Sequence, residues 1–352
     1  MFIAGLGVSA PQRRYSQGDC WEALRTSPHF SNLSPRSRVL LKKVLLGNNG
    51  IATRHLALDS LDQAFDLSPD VLHARFTQNA PSLAKTAAEN AIRQAGLRTE
   101  QIDALLISTC TGYLCPGLSS YVSQGLNLRS DALLLDLVGQ GCGAALPNLN
   151  VAAGLLASAG YEHVLSVCVE VCSAAFYLDD DPGVLVSACL FADGAGAALC
   201  SRRASSATRR IEWKQAVTEL DSSSRDLLRF EQRGGMLRNI LTPEVPKLAA
   251  AAAGRVLDRA VGGESEIRDR ITTWIWHAGG RDVLLALHEE LDLEERDLCW
   301  SAVTLRELGN ISSPFVLNVL HRAVHQGAPG GLWWMSSFGA GFSCHGALLE
   351  VE

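Results

Sequence analysis

A cysteine framed by glycines is the first candidate for chemistry, in Gly139-Gln140-Gly141-Cys142-Gly143-Ala144-Ala145-Leu146-Pro147. The apolar run Leu133–Leu137 before it reads as a buried strand, and Ala145–Ala159 after it reads as a small-residue helix. Pro147 fits only the first turn of that helix, where a missing N–H leaves no bond unmade. Cys142 thus lies at or just before a helix N-terminus, where free N–H groups and the helix dipole favour a thiolate. The flanking glycines leave room for a substrate carbonyl, so the segment points to acyl transfer. A buried structural thiol is the competing reading for any single cysteine.

Two other segments supply what a thiolate lacks. Trp274-Ile275-Trp276-His277-Ala278-Gly279-Gly280 is an apolar strand ending on a histidine with two glycines beside it. Strand ends facing a crevice are where α/β folds place catalytic groups, although a lone histidine there also reads as a satisfied hydrogen bonder. Gly309-Asn310-Ile311-Ser312-Ser313-Pro314 offers an amide donor at Asn310, and Ser312 or Ser313 suits the cap of a following helix. Cys142, His277 and Asn310 together make a consistent set. The thiolate takes an acyl group as a thioester, while imidazole and amide N–H groups hold the enolate oxygen formed when a malonyl thioester loses CO2. An imidazolium beside the thiolate would lower the cysteine pKa further. Such carbon–carbon bond formation needs no metal and no redox cofactor.

These groups need a scaffold of strands and helices. Strands are expected at residues 2–8, 102–108, 133–137, 164–171, 211–218, 271–276, 332–337 and 345–351. Helices are expected at 81–95, 145–159, 246–261, 281–291 and 312–326, while residues 30–80 mix short helical patterns with polar turns. Strands alternating with helices indicate an α/β fold of mostly parallel, buried sheets covered by helices. The polar stretch Ser201–Arg210 reads as a seam between residues 1–205, with the cysteine, and residues 206–352, with the histidine and asparagine. Both halves follow a similar order of elements.

Composition narrows the function. The 352 residues are 47% hydrophobic and 19% charged, which suits a folded enzyme with a large core and argues against disorder. A net charge of -6 gives no general attraction for nucleic acid or anionic lipid. Ten scattered cysteines without zinc-type spacing, after a start (MFIAGLGVSAPQRRY) lacking a signal-peptide pattern, fit reduced thiols in a cytoplasmic protein. Pro147, Asn148 and Asn150 interrupt the apolar stretch from Gly143 to Gly160, so no membrane span is expected there. The glycines of Ala192-Asp193-Gly194-Ala195-Gly196 do not match a dinucleotide fingerprint and suit a closely packed buried strand.

At its three chemical segments the chain resembles the thiolase superfamily and, within it, the type III polyketide synthases, over nearly its whole length. Gly141-Cys142-Gly143 resembles the family's nucleophile motif. His277-Ala278-Gly279-Gly280 resembles its His-Pro-Gly-Gly, with alanine for proline, and Gly309-Asn310-Ile311-Ser312-Ser313 resembles its Gly-Asn-Met-Ser-Ser. Ser337-Phe338-Gly339-Ala340-Gly341 looks like its Gly-Phe-Gly-Pro-Gly loop, which shapes the cyclisation cavity. The resemblance implies a thiolase-like five-layered αβαβα fold of two similar halves, a homodimer, acyl-CoA and malonyl-CoA as substrates, and no other cofactor. Cys142 would carry the acyl group, with His277 and Asn310 promoting decarboxylation.

The resemblance also marks a cavity and its departures from the plant enzymes. Phe191 matches one of two gatekeeper phenylalanines; on residues alone it is a core aromatic at a strand end. The second has no clear match between Met236 and Leu241. Cys172, Ala175 and Ser187 fall where those enzymes carry two threonines and a glycine, and Ser312, Phe338, Gly339 and Gly341 complete the implied lining. Smaller residues at 172 and 175 suit an aliphatic or fatty starter, and the stretch Cys172–Gly183 looks more like bacterial members. Lys42, Lys43 and Arg54 stand in imperfect register with the family's CoA-binding basics, and a solvated charged face is their equal alternative. The rivals are a chain-initiating ketoacyl synthase using acyl carrier protein, a thiolase, which Asn310 argues against, and an inactive thiolase-fold partner subunit.

Overall fold

In the computed structural model of the chain, the residues described are 1–205, 209–263 and 265–352, so the expected seam at 201–210 lies in part outside them. The strands are β1 (Phe2–Ser9), β2 (Arg14–Ser16), β3 (Thr53–His55), β4 (Ala104–Ser108), β5 (Leu133–Asp136), β6 (His163–Glu170), β7 (Gly194–Ser201), β8 (Ile211–Leu220), β9 (Leu228–Arg233), β10 (Met236–Leu241), β11 (Ile271–Trp276), β12 (Gly331–Gly339) and β13 (Ser343–Val351). Nine of them form one sheet in the order β11-β12-β13-β8-β1-β7-β6-β4-β5. Within it β4-β6-β7-β1 and β11-β12-β13-β8 are the same arrangement twice. Each begins with a parallel pair and continues antiparallel. The two sets meet where Phe2 of β1 pairs with Glu212 of β8.

The sheet is therefore mixed, not mostly parallel. Its outer pairs, β4–β5, β4–β6 and β11–β12, are parallel, while the central strands run antiparallel. Alternating helices predict crossovers, but β12 and β13 are joined by a short turn, which forces an antiparallel pair. The run 133–137 also departs from expectation: β5 is the sheet's edge, and Leu133, Leu134 and Leu135 are only half-buried.

The helix expected from Pro81 begins twelve residues earlier, spanning Pro69–Gln94 with Pro81 inside it. Proline removes one helical bond and usually marks a start. Here the buried stripe Phe76, Ala80, Ala84, Ala87 and Ala91 continues through Pro81, so packing on the sheet outweighs the lost bond. Small side chains along that stripe let the helix lie close to β1 and β7 in the core. A second core surrounds the helices Ala145–Ala157, Val245–Ala260 and Phe315–His325. Residues 14–65 form short helices and the β2–β3 pair around a smaller apolar cluster. Among the described residues no helix is long and apolar enough to cross a membrane.

Candidate active site

The cysteine turn is built by backbone contact. Residues Gly141–Gly143 form a single 3-10 turn that runs into the helix Ala145–Ala157. A Cβ at Gly339 would lie 2.2 Å from the Gln140 carbonyl oxygen and 2.8 Å from the Gly143 nitrogen. A Cβ at Gly143 would meet the Gly339 backbone at 3.0 Å. The glycines about Cys142 thus admit the end of β12 rather than a substrate carbonyl. Ser337 Oγ, donating to the Gly143 carbonyl at 3.0 Å, fixes the approach.

The asparagine segment joins the other two. Asn310 Nδ2 donates to the Gly279 carbonyl at 2.9 Å, and its Oδ1 accepts from the Ser312 N–H at 2.9 Å. Ser312 is held at φ +57, a left-handed conformation uncommon for residues other than glycine. From there its Oγ donates to Cys142 Sγ at 3.1 Å. Neither expected serine cap exists: Ser313 Oγ donates instead to Glu170, and the helix starts at Phe315. His277 closes β11, its N–H bonded to the Ser336 carbonyl. Its ring lies edge-on to Phe315 at 5.4 Å and to Phe338 at 6.4 Å between centroids, with Nδ1 buried and unpartnered.

Burial governs the ionisation. It pushes the Cys142 thiol up to about 12, against the Ser312 hydrogen bond, which pulls it down. It lowers His277 to about 4. Burial thus works against the expected thiolate beside an imidazolium. Desolvation outweighs the helix start, and the neutral thiol and neutral imidazole are favoured.

Glu170, which the sequence reading missed, lies beneath these groups with no exposed surface. It accepts from Thr109 Oγ1, Cys110 N, Cys110 Sγ, Thr111 Oγ1 and Ser313 Oγ. Burial raises its pKa while those donors oppose the rise. Cys110 Sγ also lies 3.6 Å from Ser312 Oγ, so a polar chain runs from Glu170 through Cys110 and Ser312 to Cys142. A carboxylate in the strand run His163–Glu170 was the available signal, since such a residue needs several donors when buried.

Beside this chain is a narrow, partly open pocket whose walls include Cys172, Ala175, Ser187 and Phe191. Phe191 follows the helix Pro182–Leu190 rather than a strand, and it bridges to Asn310. Cys172 is buried in that wall near Cys142, and burial pushes its thiol well up. The other expected lining residues lie elsewhere: Ser312 at the thiol, Phe338 against His277, Gly339 against the cysteine turn, and Gly341 in the β12–β13 turn at φ +132. Phe176, Tyr177, Phe230 and Asn239 line the cavity and were not foreseen. A second, partly open pocket, walled mainly by apolar residues such as Leu24, Leu41, Leu45, Leu61 and Phe65, shares Phe176 and Ala188 with the first.

Of the basic residues, Lys42 and Lys43 are exposed on the helix Pro35–Leu46. Arg54 is buried, and its Nη1 donates to the Ala188 and Phe191 carbonyls. It braces the cavity wall and is not free to meet a phosphate at the surface. Ten free cysteines and no cluster suited to a metal ion are found among the described residues.

Residues 9–227 match the family model described as FAE1/Type III polyketide synthase-like protein. The chain is a member of the type III polyketide synthase family. Residues 267–351 also match the model described as 3-oxoacyl-[acyl-carrier-protein (ACP)] synthase III C terminal. The synthase is similar to the 3,5-dihydroxyphenylacetyl-CoA synthase of Streptomyces toyocaensis, with 28% identity over 99% of this chain and 89% of that protein. It is similar to the alpha-pyrone synthesis polyketide synthase-like protein of Mycobacterium tuberculosis, with 26% identity over 99% and 91%. The crystal structure of PKS-I from the brown alga Ectocarpus siliculosus superposes with a TM-score of 0.90 at 26% identity, covering 99% of this chain and 98% of that one. The synthase is accordingly a condensing enzyme of the acyltransferase type with a thiolase-like fold.

Proposed function

We propose that the synthase condenses an aliphatic acyl-CoA starter with malonyl-CoA and cyclises the product to a pyrone, resorcinol or related ring. The observation that carries this is the continuous set of hydrogen bonds from Gly279 through Asn310 and Ser312 to Cys142. It ties the nucleophile, the asparagine and the histidine loop into one unit.

In this reading the Cys142 thiol gives its proton to His277 as sulfur attacks the starter carbonyl. The carbon–sulfur bond to CoA breaks, and CoA leaves as the thiol. Malonyl-CoA then loses CO2, and the electron pair moves onto its thioester oxygen as an enolate. His277 and the second Asn310 Nδ2–H face that charge as neutral donors. The enolate carbon attacks the Cys142 thioester, a carbon–carbon bond forms, and the sulfur is released for reloading. No cofactor other than the CoA carried by the substrates takes part.

The aliphatic starter is favoured by the second cavity, whose leucine and phenylalanine walls continue from the first across Phe176 and Ala188. Lys42 and Lys43 are the better placed candidates for the CoA phosphates. A homodimer through the exposed side of β5 would cover an unpaired strand edge, three half-buried leucines and the exposed Val138. A cytoplasmic location suits its ten reduced thiols. The 3-oxoacyl synthase match of residues 267–351 supports acyl carrier protein as the alternative malonyl donor. Incubation with malonyl-CoA and a series of acyl-CoA starters decides between them. CO2 release with cyclised products is expected, and strict dependence on acyl carrier protein would overturn the CoA reading.

A further inference from the structure

Residues 23–58 hold no Asp or Glu, although the whole chain carries 37 acids and a net charge of -6. The same stretch holds six cations: Arg25, Arg36, Arg38, Lys42, Lys43 and Arg54. Three are spent within the fold. Arg25 pairs with Glu22, Arg38 donates to the Leu33 and Ser31 carbonyls and covers the Phe30 ring, and Arg54 is buried in the pocket wall. Arg36, Lys42 and Lys43 remain, exposed and without an ion pair among the described residues. Asp180, an acid at the start of their helix, is taken up by the Ser34 N–H at 2.9 Å.

All three lie on one side of the helix Pro35–Leu46. Positions 36, 39, 43 and 46 follow the spacing of a single helical stripe, and Lys42 flanks it. The two stripe positions without charge are Val39 and Leu46, 69% and 50% exposed. One exposed apolar side chain is ordinary on a protein surface. Two in one stripe with three unpaired cations form the pattern of a helix lying at a lipid interface, its apolar side chains inserted and its cations among anionic headgroups. Arg36 also stands in the first turn, where the helix dipole disfavours a cation, so the helix itself gains nothing from it. A CoA phosphate would employ Lys42 and Lys43 but leaves Val39 and Leu46 unexplained.

We infer that this face of the helix Pro35–Leu46 docks the synthase on an anionic lipid surface. Arg36, Lys42 and Lys43 meet the headgroup phosphates, and Val39 and Leu46 enter the boundary of the acyl chains. The opposite side of the helix presents Leu41 and Leu45 to the second, apolar pocket. A docked bilayer and that pocket are then separated by a single helix, about 10 Å across. An apolar pocket directly behind the face favours lipid over an acidic protein as the occupant. The short path suits an aliphatic chain passing between membrane and synthase; that benefit rests on the aliphatic starter proposed above, and the docking itself does not.

Flotation of the purified synthase with vesicles of phosphatidylglycerol and phosphatidylcholine, or of phosphatidylcholine alone, tests the docking. Binding to the anionic vesicles only is expected, and it weakens as salt is raised. Arg36→Gln and Leu46→Ser, at exposed positions outside the catalytic and CoA-binding residues, should each weaken it roughly fivefold with melting temperature and malonyl-CoA turnover unchanged. Excess CoA separates the two sources of phosphate. Vesicle binding that CoA abolishes, with both variants behaving as wild type, overturns the inference in favour of a nucleotide site alone. Equal binding to both vesicle types, or to neither, overturns it as well. So does capture of acyl carrier protein that Arg36→Gln abolishes, when no vesicle is bound. Turnover in a synthase that ignores vesicles removes only the docking. A synthase that docks but releases no CO2 from malonyl-CoA with any acyl-CoA removes the condensing reading and leaves the docking in place.

Discussion

Ser312 donates a hydrogen bond to the sulfur of Cys142 from a left-handed backbone conformation that the Asn310 side chain holds in place. Replacing Asn310 therefore does two things: it removes an amide donor from the enolate and releases Ser312 from the thiol.

Asn310→Ala is expected to slow decarboxylation of malonyl-CoA by about 2–4 kcal/mol in barrier, the usual cost of one oxyanion donor. Starter loading falls less, because only the support of Ser312 is lost there. Rapid-quench measurement of CO2 and of acyl-enzyme separates the steps. Equal slowing of both would remove the donor role.

Ser312→Ala isolates the second effect. Without the hydroxyl the thiol, already at about 12, is pushed higher, so alkylation by iodoacetamide at fixed pH slows roughly fivefold. The rate should climb with pH across the alkaline range in both proteins. A plateau near neutral pH would contradict the neutral thiol.

Cys142→Ala should leave the fold intact and abolish the mass increase seen when the synthase is mixed with acyl-CoA. Acylation that persists in this variant would transfer the nucleophile role to another thiol, with Cys110 and Cys172 as the nearest candidates.

Acid sensitivity follows from three histidines held near 4, the half-buried His321 and the buried His277 and His345. His277 and His345 are each held near 4 by burial, against an ordinary 6.5. Between those values the unfolded chain binds protons that the folded chain does not. Their contribution to stability is therefore complete above about pH 6.5 and is lost as pH falls toward 4. His345→Asn should flatten the fall in melting temperature over that window, measured by calorimetry. A variant as acid-sensitive as wild type would rule His345 out as a cause.

Gly339→Ala places a methyl group inside the contact with Gln140 and Gly143. Overpacking of this kind costs about 1–3 kcal/mol, and the backbone of the cysteine turn must move to relieve it. Lower melting temperature and loss of acyl-enzyme are expected together. Normal loading in a destabilised variant would show that the turn tolerates the shift.

The three reactive segments were legible because each couples a chemical group to backbone signals, such as the glycines about Cys142 and those after His277. Their meaning was less legible. The glycines at 141 and 143 read as room for substrate, yet they admit β12, a partner almost two hundred residues away that no local pattern reveals. Ser312 and Ser313 read as helix caps, which is their commonest local use, but buried acceptors at Cys142 and Glu170 outbid the helix end. The hairpin β9–β10 was missed because Leu228–Arg233 carries three charged residues and Met236–Leu241 does not alternate. That charge is used: Arg238 pairs with three carboxylates across the cavity wall. The upward push of burial on the Cys142 thiol was not legible for the opposite reason, since a helix start is readable in sequence and depth of burial is not.

The backbone contact between Gly143 and Gly339 carries a consequence for biosynthesis of the protein itself. The cysteine turn gains its fixed geometry only when β12 lies against it, and β12 is held in the sheet by β11 on one side and β13 on the other. A ribosome-bound chain that has emerged only as far as the first half has a cysteine but no shaped nucleophile. The fixed shape of the nucleophile turn thus arrives only with the closing hairpin.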